Sequence, residues 1–253
     1  MRYITPETLI RNRAGDNTLP QWFAAVLSFH GMSRSHPLIQ QFDMKPLGYT
    51  VFTGIAPSDV YEVNIDGKLI GILAPCRMGG PNAANLVEEL AYLGVKYLVG
   101  YGPVGSITPE IYKGQQFVAR SGLTNDGTSR IYCPDSKEIK ADPELVDMVM
   151  DVAGGLSHDI KQVTAATVDA LYRETEELIS IWRSQGAQVI NMEITPFYAA
   201  SLVCGSRSVW IGHISDRLIG GEWEGWHTDR KTMSLDSARI CKEFVCSLVR
   251  NCP

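Results

Sequence analysis

The chain has 253 residues, 45% of them hydrophobic, with 23 basic and 28 acidic side chains and a net charge of −5. That is enough apolar material for one sizeable core of the α/β kind. No basic block stands out and no run approaches about 18 apolar residues, which argues against a nucleic-acid surface and against a membrane span. The six cysteines (Cys76, Cys133, Cys204, Cys241, Cys246 and Cys252) form no Cys-x-x-Cys pair, and the five histidines lack metal-ligand spacing. Reduced thiols, no zinc site and a cytoplasmic location are therefore expected. The first residues, Met1 to Pro6, contain no apolar leader.

Taken in chain order, the first 50 residues read as irregular, with a short amphipathic helix over 22–29 and then a Gly/Ser/His/Pro turn region. A strand is expected over 68–74, entered by a turn at Asp66-Gly67. A helix follows over 82–93, with Ala83, Leu86, Val87, Leu90 and Leu93 on one face, Asn82 as N-cap and Gly94 as its stop. Strands are expected over 96–99 and 115–121, and a helix over 143–152 with Pro143 in its first turn. A strand over 161–165, a helix over 173–185 ending at Gly186, and strands over 188–192 and 209–214 come next. A helix near 197–204 separates the last two strands, and an amphipathic helix over 234–250 closes the chain. Strands alternate with helices and no linker divides them. The expected fold is α/β, a single domain with a central mixed, twisted sheet flanked by helices, and a divergent region over residues 1–50.

Asn191-Met192-Glu193 and Ile214-Ser215-Asp216 each end an apolar run. A carboxylate at the mouth of a buried strand costs free energy unless it has a partner or a task. Ligands of open α/β sheets bind at the C-terminal ends of strands, so Glu193 and Asp216 are candidate catalytic groups. Two plainer readings stand beside this one: Glu193 as a cap for the next helix, and Asp216 as a cap for the segment after it. Gly100-Tyr101-Gly102-Pro103-Val104-Gly105 matches the dinucleotide glycine pattern, but no helix opens behind it, as pyrophosphate binding requires. Those glycines still mark a close backbone approach. Met78-Gly79-Gly80-Pro81-Asn82 reads as a ligand-facing loop or a plain strand–helix turn, with Arg77 as a candidate anion ligand. Gly220-Gly221-Glu222-Trp223-Glu224-Gly225-Trp226 reads as an aromatic lid.

These pieces together resemble the nucleoside phosphorylase family, which includes uridine phosphorylase, hexameric purine nucleoside phosphorylase and the methylthioadenosine nucleosidases. The resemblance runs from about Gly67 to the C-terminus. It rests on Met78-Gly79-Gly80-Pro81-Asn82-Ala83-Ala84, Val87-Glu88-Glu89-Leu90 with Gly94-Val95-Lys96, and Gly102-Pro103-Val104-Gly105-Ser106-Ile107. Asp126-Gly127-Thr128-Ser129, Asp169-Ala170-Leu171-Tyr172, Asn191-Met192-Glu193 and Ser215-Asp216 complete it. The resemblance implies cleavage or formation of an N-glycosidic bond. It implies that Met192 and Glu193 hold the ribose and that Asp216 protonates a purine-type leaving base. Asn191, Met78 and Gly102 fall among the substrate-binding positions, Leu171 and Tyr172 near the base, and Arg230 where an arginine assists the aspartate. No metal or redox cofactor is implied, and inorganic phosphate stays open as a co-substrate. A nucleoside-like small molecule is the implied partner, and a homo-oligomer, dimer or hexamer, the implied assembly.

The chain departs from the family at its phosphate site. The Gly-Asp-Pro-x-Arg loop is missing, and Arg34 near Gly31 is a poor substitute for it. The second phosphate arginine is replaced by Gly100, the loop hydroxyl by Pro103, and the arginine lent by a neighbouring subunit falls near Ala56. Oxyanion sites need several charge-assisted hydrogen bonds. Three readings stay open: an anion site rebuilt from Arg77, Lys113 or Arg34; water in place of phosphate; or a repurposed fold. The last is either a biosynthetic enzyme or a non-catalytic binding or storage protein.

Overall fold

The computed structural model describes residues 2–30, 37–225 and 230–252, with the side chains of 230–232 left undescribed. The chain opens with helix α1 (Pro6–Ala14), capped by Thr5, and enters the sheet at β1 (Ala24–Ser28), every residue of which is buried. This corrects the helix expected over 22–29. β1 lies between two parallel neighbours, so both its faces are covered and it carries no polar alternation. A short apolar run of that kind has no period of its own to separate strand from helix.

Helix α2 (Pro37–Gln41), β2 (Lys45–Pro46), β3 (Val60–Ile65) and β4 (Lys68–Leu73) follow, then α3 (Gly80–Tyr92), β5 (Tyr97–Tyr101) and β6 (Val104–Ser106). The glycine-rich stretch runs from the end of β5 into β6, so no helix opens there, as expected. Next come β7 (Gln116–Leu123), α4 (Gly127–Tyr132), β8 (Glu138–Lys140), α5 (Pro143–Gly155) and β9 (Ile160–Thr167). The chain ends with α6 (Glu176–Ser184), β10 (Val189–Asn191), α7 (Ile194–Cys204), β11 (Arg207–Ile219), β12 (Glu222–Glu224) and α8 (Arg230–Asn251).

Among the described residues the twelve strands belong to one mixed sheet in the order β2-β3-β4-β1-β5-β11-β6-β10-β9-β7-β8, with β12 paired to β11. β11 pairs with β5 and β7 through its first half and with β6 and β12 through its second. The pairings β11-β6-β10-β9-β7-β11 close a ring of five strands, so half the sheet is barrel-like and the other half an open wing. Helices cover the outside, and one large apolar cluster runs from Ile10 to Val249. The fold is thus single-domain α/β with a mixed sheet. Among the described residues no helix is long and apolar enough to cross a membrane.

Two helices begin where the sequence did not indicate. α3 starts at Gly80 with Gly79 as its N-cap, at φ 105°, a conformation open to glycine, and Asn82 sits inside the first turn. The helix expected from residue 173 begins at Glu176, because Leu171–Arg173 forms a tight 3-10 turn first and Thr175 supplies the cap.

Candidate active site

A cavity of about 320 Å³ opens where β6, β10 and β11 run side by side. β6 is the middle strand, and Gly105 is its key position: it pairs with Asp216 on one side and Ile190 on the other. A Cβ at Gly105 would lie 2.9 Å from Leu218, 3.2 Å from Ile190 and 3.4 Å from the Asp216 carboxylate. Side chains from the flanking strands therefore occupy the space above a strand that has none there.

Asp216 reaches the cavity through a β-bulge. β11 pairs Ile214 with Val104 and Asp216 with Gly105, which leaves Ser215 as the extra residue. Regular alternation would send Ser215 and Asp216 to opposite faces, but here both line the cavity. Asp216 is 7% exposed. Its Oδ1 accepts from the Ser215 hydroxyl at 2.5 Å and its Oδ2 from the Trp223 indole N–H at 2.8 Å. Asp216 lies inside β11 and caps no helix.

Glu193 follows β10 and precedes α7. Its side chain does not cap α7: Asn191 does, accepting from Ile194 N at 3.3 Å. Glu193 instead reaches across to α3, where its Oε1 accepts from Gly79 N at 2.8 Å, and its Oε2 accepts from Asn191 Nδ2 at 3.2 Å. Burial pushes its carboxyl up to about 7, against the pull of the Gly79 and Met192 N–H groups and Asn191. Asn191 is fixed in turn by the Thr167 hydroxyl at 3.2 Å.

Asp216, Glu193, Met192, Asn191, Met78 and Leu171 all line this one cavity. Gly102 does not line it. It packs against Trp210 and Phe29, and its carbonyl accepts from the Trp210 indole. Tyr172 is 95% exposed and stands outside. Arg77 is exposed and also outside, and Lys113 donates to the Gly225 carbonyl at 2.5 Å instead of facing the cavity. The side chain of Arg230, and Arg34, Gly31 and Trp226, lie outside the described residues.

Sequence reasoning missed Phe29, His30, His213 and Glu174, which also line the cavity. His30 was hidden by the misread β1, at whose end it sits. His213 was legible as a polar residue inside the apolar run of β11, three positions before Asp216. It is 1% exposed, and its Nδ1 lies 3.1 Å from the Ser237 hydroxyl. Glu174 is turned inward by the 3-10 turn that precedes it. Burial, then the charge of Asp216, push its carboxyl up to about 7. No described lysine or arginine lines the cavity. Among the described residues no group of three His, Cys, Asp or Glu side chains is placed to hold a metal.

The segment 220–225 is a β-hairpin and not a loose aromatic loop. Gly220 and Gly221, at φ 65° and 78°, form the tight turn that sends β12 back along β11, and Trp223 pairs with Leu218. That register brings the indole over Asp216.

Residues 28–250 match the phosphorylase superfamily, a span that begins well before the point at which the motifs become readable. A guanosine phosphorylase of Halorubrum lacusprofundi is 27% identical over 155 residues, covering 60% of this chain and 63% of its own. A DeoD-type purine nucleoside phosphorylase of Clostridium novyi is 29% identical over 187 residues, covering 73% and 79%. A uridine phosphorylase of Escherichia coli is 23% identical over 173 residues, covering 63% and 67%. The chain thus spans less than two thirds of the length of the guanosine phosphorylase it matches.

Proposed function

The chain belongs to the phosphorylase superfamily, and from that premise we propose that it breaks the N-glycosidic bond of a nucleoside or nucleoside-like metabolite, with water as the oxygen nucleophile. One observation carries this reading: Glu193 and Asp216 line a single cavity to which no described cation contributes. Glu193 keeps acceptor capacity beyond the Gly79, Met192 and Asn191 donors it faces, which leaves room for a sugar hydroxyl. Met192 lies beside it, against the sugar. A carboxylate there also opposes the positive charge that builds on the anomeric carbon. Asp216 serves the leaving base, which departs poorly as an anion and benefits from a proton. A phosphate dianion in the same space would face Glu193, Asp216 and Glu174 without a described positive partner, which favours water over phosphate.

The reading is tested by incubating the protein with purine and pyrimidine nucleosides, with and without inorganic phosphate, and following free base. Release that ignores phosphate is expected. Release that requires phosphate would replace hydrolysis by phosphorolysis. Silence across the panel would leave the repurposed or binding readings. A homo-oligomer goes with this proposal, and light scattering on the purified chain measures it directly.

A further inference from the structure

We propose that Glu174 is a further catalytic residue of this site: it and Asp216 hold one proton between them at the cavity, and that pair, rather than Asp216 by itself, protonates the departing base. This rests on the glycosidic reading above.

The argument starts with the hydrogen bonds of Asp216. Both its oxygens are already acceptors, Oδ1 from Ser215 and Oδ2 from Trp223. An indole N–H can only donate, so Oδ2 is held as an acceptor, while the Ser215 hydroxyl, which also lies 3.3 Å from the Val104 carbonyl, can face Oδ1 either way. A proton placed on Oδ2 would displace the Trp223 bond. The Trp223 donor favours a bare Oδ2, which makes a second carboxyl on the cavity the better place for the proton. Glu174 is that carboxyl. It lines the same cavity, on the chain that leaves the Leu171–Arg173 turn, and no described residue hydrogen-bonds its side chain. Two ionised carboxylates on one small cavity repel, so the pair keeps a proton that neither would keep alone. Burial and the nearby charge of Asp216 hold the Glu174 carboxyl up to about 7, where an acid works best near neutrality.

The atoms balance with water as co-reactant. The bond from the anomeric carbon to the base nitrogen breaks, and its electron pair goes to the nitrogen. That nitrogen takes the proton of the carboxyl pair. The water oxygen bonds to the anomeric carbon, and the proton it releases restores the pair.

His30, His213 and Glu193 are further ionisable groups on the same cavity, while Arg173 and Glu176, next to Glu174 along the chain, are exposed. The test therefore turns first on the leaving group and only then on pH. The Glu174→Gln variant is compared with the unaltered chain on nucleosides and on p-nitrophenyl β-D-ribofuranoside, whose leaving group departs without a proton. The expected loss in kcat/KM is about 10²- to 10⁴-fold on nucleosides, the usual contribution of a general acid. On the activated riboside the expected loss is below about ten-fold, because bond cleavage there needs no acid. The basic limb of the nucleoside pH profile should also move to lower pH, since the variant lacks the negative neighbour. Equal losses on both substrates, or none on either, would overturn the proposal. If the unaltered chain cleaves neither substrate, the parent reading falls and this one with it. If it cleaves nucleosides and Glu174→Gln does so equally well, only this one falls. Retained cleavage of the activated riboside also shows that the variant is folded.

Discussion

The indole N–H of Trp223 donates to Oδ2 of Asp216 at 2.8 Å. Trp223 lies on β12 and Asp216 on β11, and the Gly220-Gly221 turn between them fixes the register that lets them meet. The hairpin is therefore part of the surroundings of the Asp216 carboxylate and more than a cover for the cavity.

Replacing Trp223 by Phe keeps an aromatic ring and removes the donor. A hydrogen bond to a charged group contributes about 1.5–3 kcal/mol, so kcat/KM on nucleosides should fall by roughly 10- to 100-fold. The carboxyl pair should also hold its proton more tightly, which moves the basic limb of the pH profile upward, opposite in sign to Glu174→Gln. Steady-state kinetics across pH 5–9 check both effects. An unmoved limb would mean that the indole only packs.

Glu193 makes stability depend on pH. Its carboxyl is raised to about 7 by burial, above its value in the unfolded chain. Between the two values the folded state binds more protons than the unfolded one, so stability falls as pH rises through that window. It is greatest below about 4.5 and fully lost above about 7, with a span of at most about 3 kcal/mol from this group. Melting temperatures measured from pH 5 to 7.5 should fall for the native chain and fall less for Glu193→Gln. The same variant should lose most of its turnover, because a neutral amide cannot oppose charge on the sugar.

Most of the alternating elements were legible because helices such as α3 carry a polar face and strands such as β4 begin at a marked turn. β1 was not, because a strand covered on both sides carries no alternation. The lining of the candidate site was legible where a carboxylate interrupts an apolar run, as Glu193 and Asp216 do. It was not legible where a turn decides direction. Tyr172 and Glu174 are two residues apart, and only the 3-10 turn explains why Tyr172 faces solvent while Glu174 faces the cavity. The bulge at Ser215 left no mark in the sequence either. Some motif residues turn out to hold loops: Asp126 caps α4 through Ser129 N at 2.7 Å, and Asp169 accepts from Gly127 N at 2.8 Å.

Lys113 ties the hairpin to the body of the protein through the Gly225 carbonyl, and Arg217 pairs with Glu224 at 3.4 Å on its partly exposed side. Lys113→Met keeps much of the stem and removes the ammonium donor. Substrate affinity should weaken by a few-fold, about the worth of one hydrogen bond to a charged donor near the surface, with kcat on the activated riboside little changed. A fall in kcat with KM unaltered would place Lys113 in the chemistry instead. A gain of phosphate dependence in the native chain that disappears in Lys113→Met would make it an anion ligand.

Gly100 stands where the resemblance implies a phosphate-binding arginine, and packing accounts for the glycine. A Cβ there would lie 2.1 Å from Cε3 of Trp210. Trp210 is fully buried, stacked on Phe29 at 5.3 Å and edge-on to Phe197 at 5.6 Å, so the indole has no room to withdraw. Gly100→Ala should destabilise the fold by about 1–3 kcal/mol, the range for overpacking a filled core, read as a lower urea midpoint. Pairing it with Trp210→Leu should recover part of that loss, because the two positions share one volume and their effects cannot add. Gly100→Arg in the native background should unfold the chain or leave base release independent of phosphate. Restored phosphate dependence in that single variant would show that the indole does not close the position.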